Sequence, residues 1–273
     1  MAVLHFFRIE IFQNQTDILL KWPGANKILR DATRHFPNSN SDRRTIHFVT
    51  HFENVDKNGC YFQIARRGKK VTEELDVNEE YIELEHTDIL HTRVILDHEI
   101  SLLVVEHNNS YTKDLNQIPR RIANWILNYQ RKSGLDYRVM ITPIKNPNSL
   151  IFEIKNANLV RRFFFDVKRK NIFDTAQMAR DIKKYTTAIN GESTRTQTTG
   201  TNMDKDTMIE IIRSSASTGD DAGALLIPHG SRKHKRLSLG KNLLRKDVSD
   251  ETTAQPRSFL EYARSIYENI RNR

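Results

Sequence analysis

Residues 45–68, TIHFVTHFENVDKNGCYFQIARRG, hold two β-prone runs on either side of Asn58-Gly59. Asn-Gly is the strongest short-range signal of a two-residue type I′ hairpin, because both residues reach positive φ at little cost. The stretch therefore predicts two antiparallel strands, with a basic exit at Arg66, Arg67, Lys69 and Lys70. Residues 93–107, RVILDHEISLLVVEH, repeat the pattern: apolar runs at 94–96 and 102–105 flank a polar turn at Asp97, His98 and Glu99.

Outward from these hairpins, strands and helices alternate. Residues 3–12, VLHFFRIEIF, read as a strand that admits polar residues at His5, Arg8 and Glu10. Ile28, Leu29, Ala32 and Phe36 recur at helical spacing, predicting a helix from Asn26 to His35 that Pro37 ends. Leu115, Ile118, Ile122, Trp125, Ile126 and Tyr129 make an amphipathic helix over 114–132 with Gly134 at its end. Pro119 either opens that helix or marks the junction of two short ones. YRVMITPI (137–144), SLIFEIKN (149–156) and LVRRFFFDVKRK (159–170) read as further strands. A helix capped by Asp174, with Gln177 in the capping-box position, follows to about Ile189. These elements predict an α+β domain over residues 1–190, with a mostly antiparallel sheet and amphipathic helices.

Composition changes at Asn190. NGESTRTQTTGTN (190–202) has no core-forming residue, so a Thr/Gly-rich linker is expected over 191–203. Residues 204–273 then read as a basic, helical C-terminal extension. It holds a short helix from Asp204 to Arg213, the run SRKHKRLSLGKNLLRK (231–246) and a final helix from Pro256. Phe259, Ala263, Ile266 and Ile270 form one stripe of that last helix, with Leu260 and Tyr267 beside it. Such a stripe must dock on its own chain or on a second copy, and a homodimer is expected.

Charge points to the partner. Lys and Arg number 43 against 34 Asp and Glu, a net charge of +9, and such a chain attracts polyanions. Residues 73–88, EELDVNEEYIELEHTD, hold eight acidic residues and no Lys or Arg, which concentrates the positive charge elsewhere. Besides the Arg66–Lys70 group, the cations cluster at Arg120 and Arg121, at Arg161 and Arg162, at Lys168, Arg169 and Lys170, and at Arg232, Lys233, Lys235 and Arg236. Paired cations at element ends suit phosphate contacts, so the expected partner is nucleic acid, DNA before RNA, bound with low sequence specificity. Tyr61, Phe62, Phe163, Phe164 and Phe165 lie near these cations. The alternation along 163–165 puts at least one strand face in the core, so packing is expected of these aromatics rather than base stacking.

An enzymatic alternative rests on Glu153-Ile-Lys155. On a strand these two side chains share a face, as in metal-dependent nucleases, with Asp136 upstream as a second ligand. The bland reading is a surface ion pair. A third alternative is a scaffold subunit that docks a partner protein on its acidic segment. His47 and His51 would share one strand face, and Asp97, His98 and Glu99 cluster, yet none has the spacing of a zinc site. Phosphate-loop, dinucleotide and nucleophile-elbow motifs are all missing from the sequence. No catalytic residue, metal ligand or cofactor is assigned. The single cysteine, Cys60, excludes an intrachain disulfide and fits a reducing, cytoplasmic compartment. The apolar start is broken by Arg8 and Glu10, so neither export nor membrane insertion is expected.

The element order over residues 55–190 adds a resemblance. A hairpin with a basic exit, RVILDHEISLLVVEH, a helix, YRVMITPIKNPNSLIFEIKN, and FFFDVKRK before a helix with paired lysines resemble the layout of the RexA family of phage-exclusion proteins of lambdoid prophages. The layout is similar, more loosely, to the Kiwa defence component KwaB. The resemblance implies a bacterial or prophage-encoded cytoplasmic defence protein that binds DNA and works as a dimer or with a partner protein. It transfers no functional residue, because no motif position matches one by one.

Overall fold

The computed structural model describes residues 1–13, 23–36, 47–75, 81–168, 193–240 and 242–272, with scattered positions between 182 and 191; side chains are described except at 68–88, 168 and 272. In chain order its elements are β1 (Ala2–Gln13), α1 (Ala25–Thr33), β2 (His47–Asn54), β3 (Gly59–Leu75), β4 (Tyr81–Asp97), β5 (Leu102–His107) and α2 (Gln117–Ser133). There follow β6 (Tyr137–Pro143), α3 (Asn148–Lys155), β7 (Ala157–Lys168), β8 (Ser193–Thr199), α4 (Lys205–Thr218) and β9 (Ala222–Pro228). The last are β10 (Lys235–Ser238), β11 (Arg245–Val248), α5 (Asp250–Ala254) and α6 (Pro256–Asn272). The protein is α+β with antiparallel sheets and a C-terminal helix, as its sequence predicts. Two compact units interleave along the chain: Met1–Leu4, Gln13–Arg138 and Asp247–Leu260 make the first, and His5–Phe12, Val139–Lys246 and Glu261–Arg273 the second.

In the first unit β5, β4, β3 and β2 lie side by side and antiparallel. Both predicted hairpins form. At the β4–β5 turn the Asp97 carboxylate accepts from the backbone N–H of Glu99 (2.8 Å) and Ile100 (3.1 Å). The β2–β3 turn is not the expected two-residue one, since neither Asn58 nor Gly59 takes a positive φ. Asp56 Oδ1 accepts from the N–H of Asn58 (2.8 Å) and Gly59 (2.6 Å), an Asx-type turn. Gly59 is needed for a different reason: a Cβ there would sit 2.3 Å from Leu260 Cδ2, a buried side chain. Gly59→Ala is accordingly expected to destabilise the protein by about 1–3 kcal/mol through overpacking, read from the denaturant midpoint. An unchanged midpoint would contradict this packing.

Pro119 falls in the first turn of α2, where no helical N–H is required, and Gly134 (φ 68°) ends the helix in the left-handed region. The apolar face predicted for α2 is buried through Ile118, Ile122, Trp125 and Ile126. Phe36 packs between Trp125, tilted against it, and Phe62, edge to face, each 5.5 Å away between ring centroids.

The second unit centres on a four-stranded antiparallel sheet of order β10-β9-β7-β8. Three expectations change here. Residues 149–156 were expected to form a strand, and they form helix α3, with Leu150, Ile151 and Ile154 buried at helical spacing. Its Ile and Phe content favours strand, but Asn146 Oδ1 takes the N–H of Asn148 and starts a helical turn that tertiary packing completes. The segment read as a linker over 191–203 contains β8, paired with β7 from Arg162↔Thr199 to Lys168↔Ser193. β-Branched threonines suit a half-exposed edge strand that requires no apolar residue. The run from Ser231, expected to lie outside any core, supplies β10, paired with β9. Helix α4 forms where a short helix is expected, is capped by Asp204, which accepts from Thr207 N–H (3.0 Å), and continues to Thr218, beyond the expected end at Arg213. Of the helix expected from Asp174 to about Ile189, the part before 182 lies outside the described residues, and 182, 184–186 and 188 are helical.

In α6, Phe259, Leu260, Ala263, Tyr267 and Ile270 are buried within their own chain. The apolar stripe is thus already covered, which removes the ground it gave for a homodimer. Arg8 on β1 is buried as well, and its guanidinium donates to the Tyr267 hydroxyl at 2.6 Å. Among the described residues no helix is long and apolar enough to cross a membrane.

Candidate nucleic-acid interface

Directly paired residues of antiparallel strands project from one face of their sheet. Arg162 on β7 pairs with Thr199 on β8 and Leu225 on β9, and Leu225 pairs with Arg236 on β10. Two residues further along β7, Phe164 pairs with Gln197 and Gly223, and Gly223 with Ser238. Then Asp166 pairs with Arg195. Arg162, Arg195, Gln197, Thr199, Arg236 and Ser238 are all exposed, so this face of the sheet is open to solvent. The opposite face carries Phe163, Phe165, Val167, Ala222, Ala224 and Leu226, all buried, against α3 and α4. A bulge between Val160 and Arg162 shifts the register with β9, which keeps Val160 inside and sends Arg162 outward.

Phe164 is the one aromatic on the open face, and it is 7% exposed. Its ring packs on Gly223, where a Cβ would meet it at 2.5 Å. Arg195 covers it with the guanidinium 4.9 Å from the ring centroid. Asp166 holds that guanidinium through two hydrogen bonds, of 2.6 and 2.8 Å, which raise the arginine's pKa. Phe164, Arg195 and Asp166 therefore set a carboxylate-held guanidinium over an aromatic ring, flanked by Arg162 and Arg236.

The nominated cations separate by position. Arg162 and Arg236 share a cross-strand line on the open face, while Arg161 is exposed at the bulge. Arg232 and Lys233 are exposed ahead of β10. Lys235 pairs with Leu226 of the helix-covered face, and its ammonium binds Glu153 of α3 at 2.7 Å. Arg67 and Arg120 are exposed. Lys69 and Lys70 sit on β3 opposite Thr87 and His86, and Lys168 opposite Ser193, but these three side chains lie outside those described. Arg169 and Lys170 lie outside the described residues. Tyr61, Phe62, Phe163 and Phe165 are core residues. Sequence reading missed Arg195, because β8 read as a linker; the signal was the alternation Thr194-Arg195-Thr196-Gln197-Thr198.

Arg66 and Arg121, distant in sequence, converge in the first unit. His47 and Arg66 are cross-strand partners on β2 and β3. The loop after β5, fixed by Asn108 accepting from Ser110 N–H (3.0 Å) and Tyr111 N–H (3.0 Å), places the Tyr111 hydroxyl 2.7 Å from His47 Nδ1. The Arg66 guanidinium lies 5.7 Å from the Tyr111 ring centroid and donates to the Ser110 carbonyl at 2.9 Å. Arg66 Nε is buried without an acceptor. Arg121 of α2 acts electrostatically on both His47 and Tyr111, and burial lowers its own pKa.

Burial, then Arg121 and Arg66, lower the His47 pKa from 6.5 to about 4. The unfolded chain takes up this proton near 6.5 and the folded one only near 4, so His47 lowers stability as pH falls across that window and adds no further loss below it. An NMR titration of the His47 ring is expected to give a midpoint near 4 that rises toward 6.5 in Arg66→Ala. A midpoint already at 6.5 in the unaltered protein would contradict the cluster.

The metal readings do not assemble. Glu153 and Lys155 sit two residues apart on a helix, on different faces, and Glu153 is held by Lys235. A bulge between Thr50 and Glu53 interrupts β2, so His47 and His51 do not share a regular strand face, and His51 takes a positive φ of 48°. Asp97 caps its own turn, and His98 is buried with Nε2 2.9 Å from Thr33 Oγ1 and 3.8 Å from Cys60 Sγ. Burial pushes the Cys60 thiol up and lowers the His98 pKa to about 4. Among the described residues no three His, Cys, Asp or Glu side chains gather to hold a metal ion.

No family model and no curated protein matches the chain.

Proposed function

We propose that this protein binds single-stranded nucleic acid, DNA before RNA, across the open face of β10-β9-β7-β8, mainly through phosphate and with little sequence specificity. The observation that carries this reading is the cross-strand line Arg162, Leu225, Arg236 beside the Phe164–Arg195 stack on an uncovered sheet face. An open sheet face accepts an extended strand, whose phosphates meet the arginines while bases lie on the Arg195 guanidinium. A duplex groove is read by a protruding helix or ribbon, and among the described residues this face has none. The net charge of +9 supports long-range attraction of such a ligand. A cytoplasmic setting agrees with the single, buried, free thiol of Cys60. A role in phage defence rests on the resemblance of element order.

The test is a competition titration with labelled oligo-deoxythymidine, unlabelled single strands of other sequences, and duplex. The reading expects single strands of any sequence to compete well and duplex poorly. Absence of binding at low salt, or preference for one duplex sequence, would overturn it.

A further inference from the structure

The Arg66 and Arg121 cluster belongs to the first unit and shares no residue with the sheet face of the second. Arg66 lies against Tyr111, and the guanidinium of Arg121 acts electrostatically on both Tyr111 and His47; both arginines are half-buried, and neither has a carboxylate partner among the described residues. Burying like charges together without a counterion is costly, and Arg66 adds a buried Nε–H donor that has no acceptor. Such an arrangement is stable when an anion completes it. Two positive charges call for a dianion, whereas a carboxylate neutralises only one of them. The planar N–H forks of arginine match the several oxygens of a phosphoryl group. His47 fits as a neutral donor that Tyr111 orients: burial raises the Tyr111 pKa to about 12, so its hydroxyl stays protonated and can donate to the imidazole. A hydroxyl that donates to His47 Nδ1 leaves the imidazole proton on Nε2, available to a ligand oxygen.

We infer that Arg66, Arg121, Tyr111 and His47 form a phosphoryl-binding site that takes a phosphate monoester or free phosphate as its dianion. This assignment does not rest on the nucleic-acid reading. The test uses the full chain titrated with inorganic phosphate, adenosine 5′-monophosphate, or acetate at matched ionic strength, followed by the NMR signals of the His47 ring and by the melting temperature. Above neutral pH, where phosphate is largely the dianion, it is expected to shift the His47 ring signals saturably and to raise the melting temperature, while acetate does neither. Arg66→Ala and Arg121→Ala should each weaken phosphate tenfold or more, and Arg66→Lys should weaken it less. If an alanine variant fails to fold, Arg66→Lys and Arg121→Gln carry the same comparison. Tighter binding of the nucleotide would assign a monoester, and equal binding free phosphate; either supports the site. Arg162→Ala/Arg236→Ala should leave phosphate binding intact, so failure of the sheet-face reading stays separate. No saturable response, an equal response to acetate, or unchanged affinity in the arginine variants would overturn the inference.

Discussion

Alanine at both Arg162 and Arg236 is expected to weaken single-strand binding on the order of tenfold to a hundredfold, and by a similar factor on unrelated sequences. The two guanidinium groups lie on one cross-strand line, so an extended strand crossing the sheet can meet both with successive phosphates. Both are exposed, and their removal should leave the melting temperature nearly unchanged. Lys235→Ala is the internal contrast. Its ammonium already binds Glu153 on the helix-covered side, so its loss should change affinity much less, although it neighbours Arg236 in sequence. Fluorescence anisotropy on the three proteins checks this. An equal loss from Lys235→Ala would mean that charge in this run, and not its place on the sheet, governs binding.

Gly223→Ala should cost about 3 kcal/mol, at the upper end for overpacking a core. The new Cβ would fall 2.4 Å from the Leu237 carbonyl oxygen and 2.5 and 2.7 Å from two carbons of the Phe164 ring. A side chain can turn away, but the carbonyl belongs to the neighbouring strand β10 and moves only with it. Phe164→Leu in the same chain should therefore restore part of the loss and not all, as read from denaturant midpoints. A Gly223→Ala protein as stable as the parent would show that β9 and β10 do not approach this closely.

The sequence made the alternating apolar runs and their turns legible: Asp97 to Ser101 and Gly134 end their elements where patterning places them. It misled where composition and context disagree. Ile151, Phe152 and Ile154 are strand formers by propensity, yet a turn started at Asn146 and burial of Leu150 and Ile154 make them helix. Thr194 to Thr199 lack apolar residues, and an edge strand with an exposed face requires none. The cations of the site were visible as charge, but their sorting was not. Whether Arg236 or Lys235 faces solvent depends on strand register, and the bulge at Arg161 that turns Arg162 outward has no local signature. Arg66 and Arg121 are separated by 55 positions in the sequence, and only the fold brings both to act on Tyr111.

The most direct test of the sheet-face account is the dependence of single-strand affinity on salt, compared between the unaltered protein and Arg162→Ala/Arg236→Ala. Each phosphate contact on a single strand contributes about 0.7 to the slope of log affinity against log salt, so the double variant should be shallower by about 1.4. Parallel lines for the two proteins would place the phosphate contacts elsewhere and contradict the account.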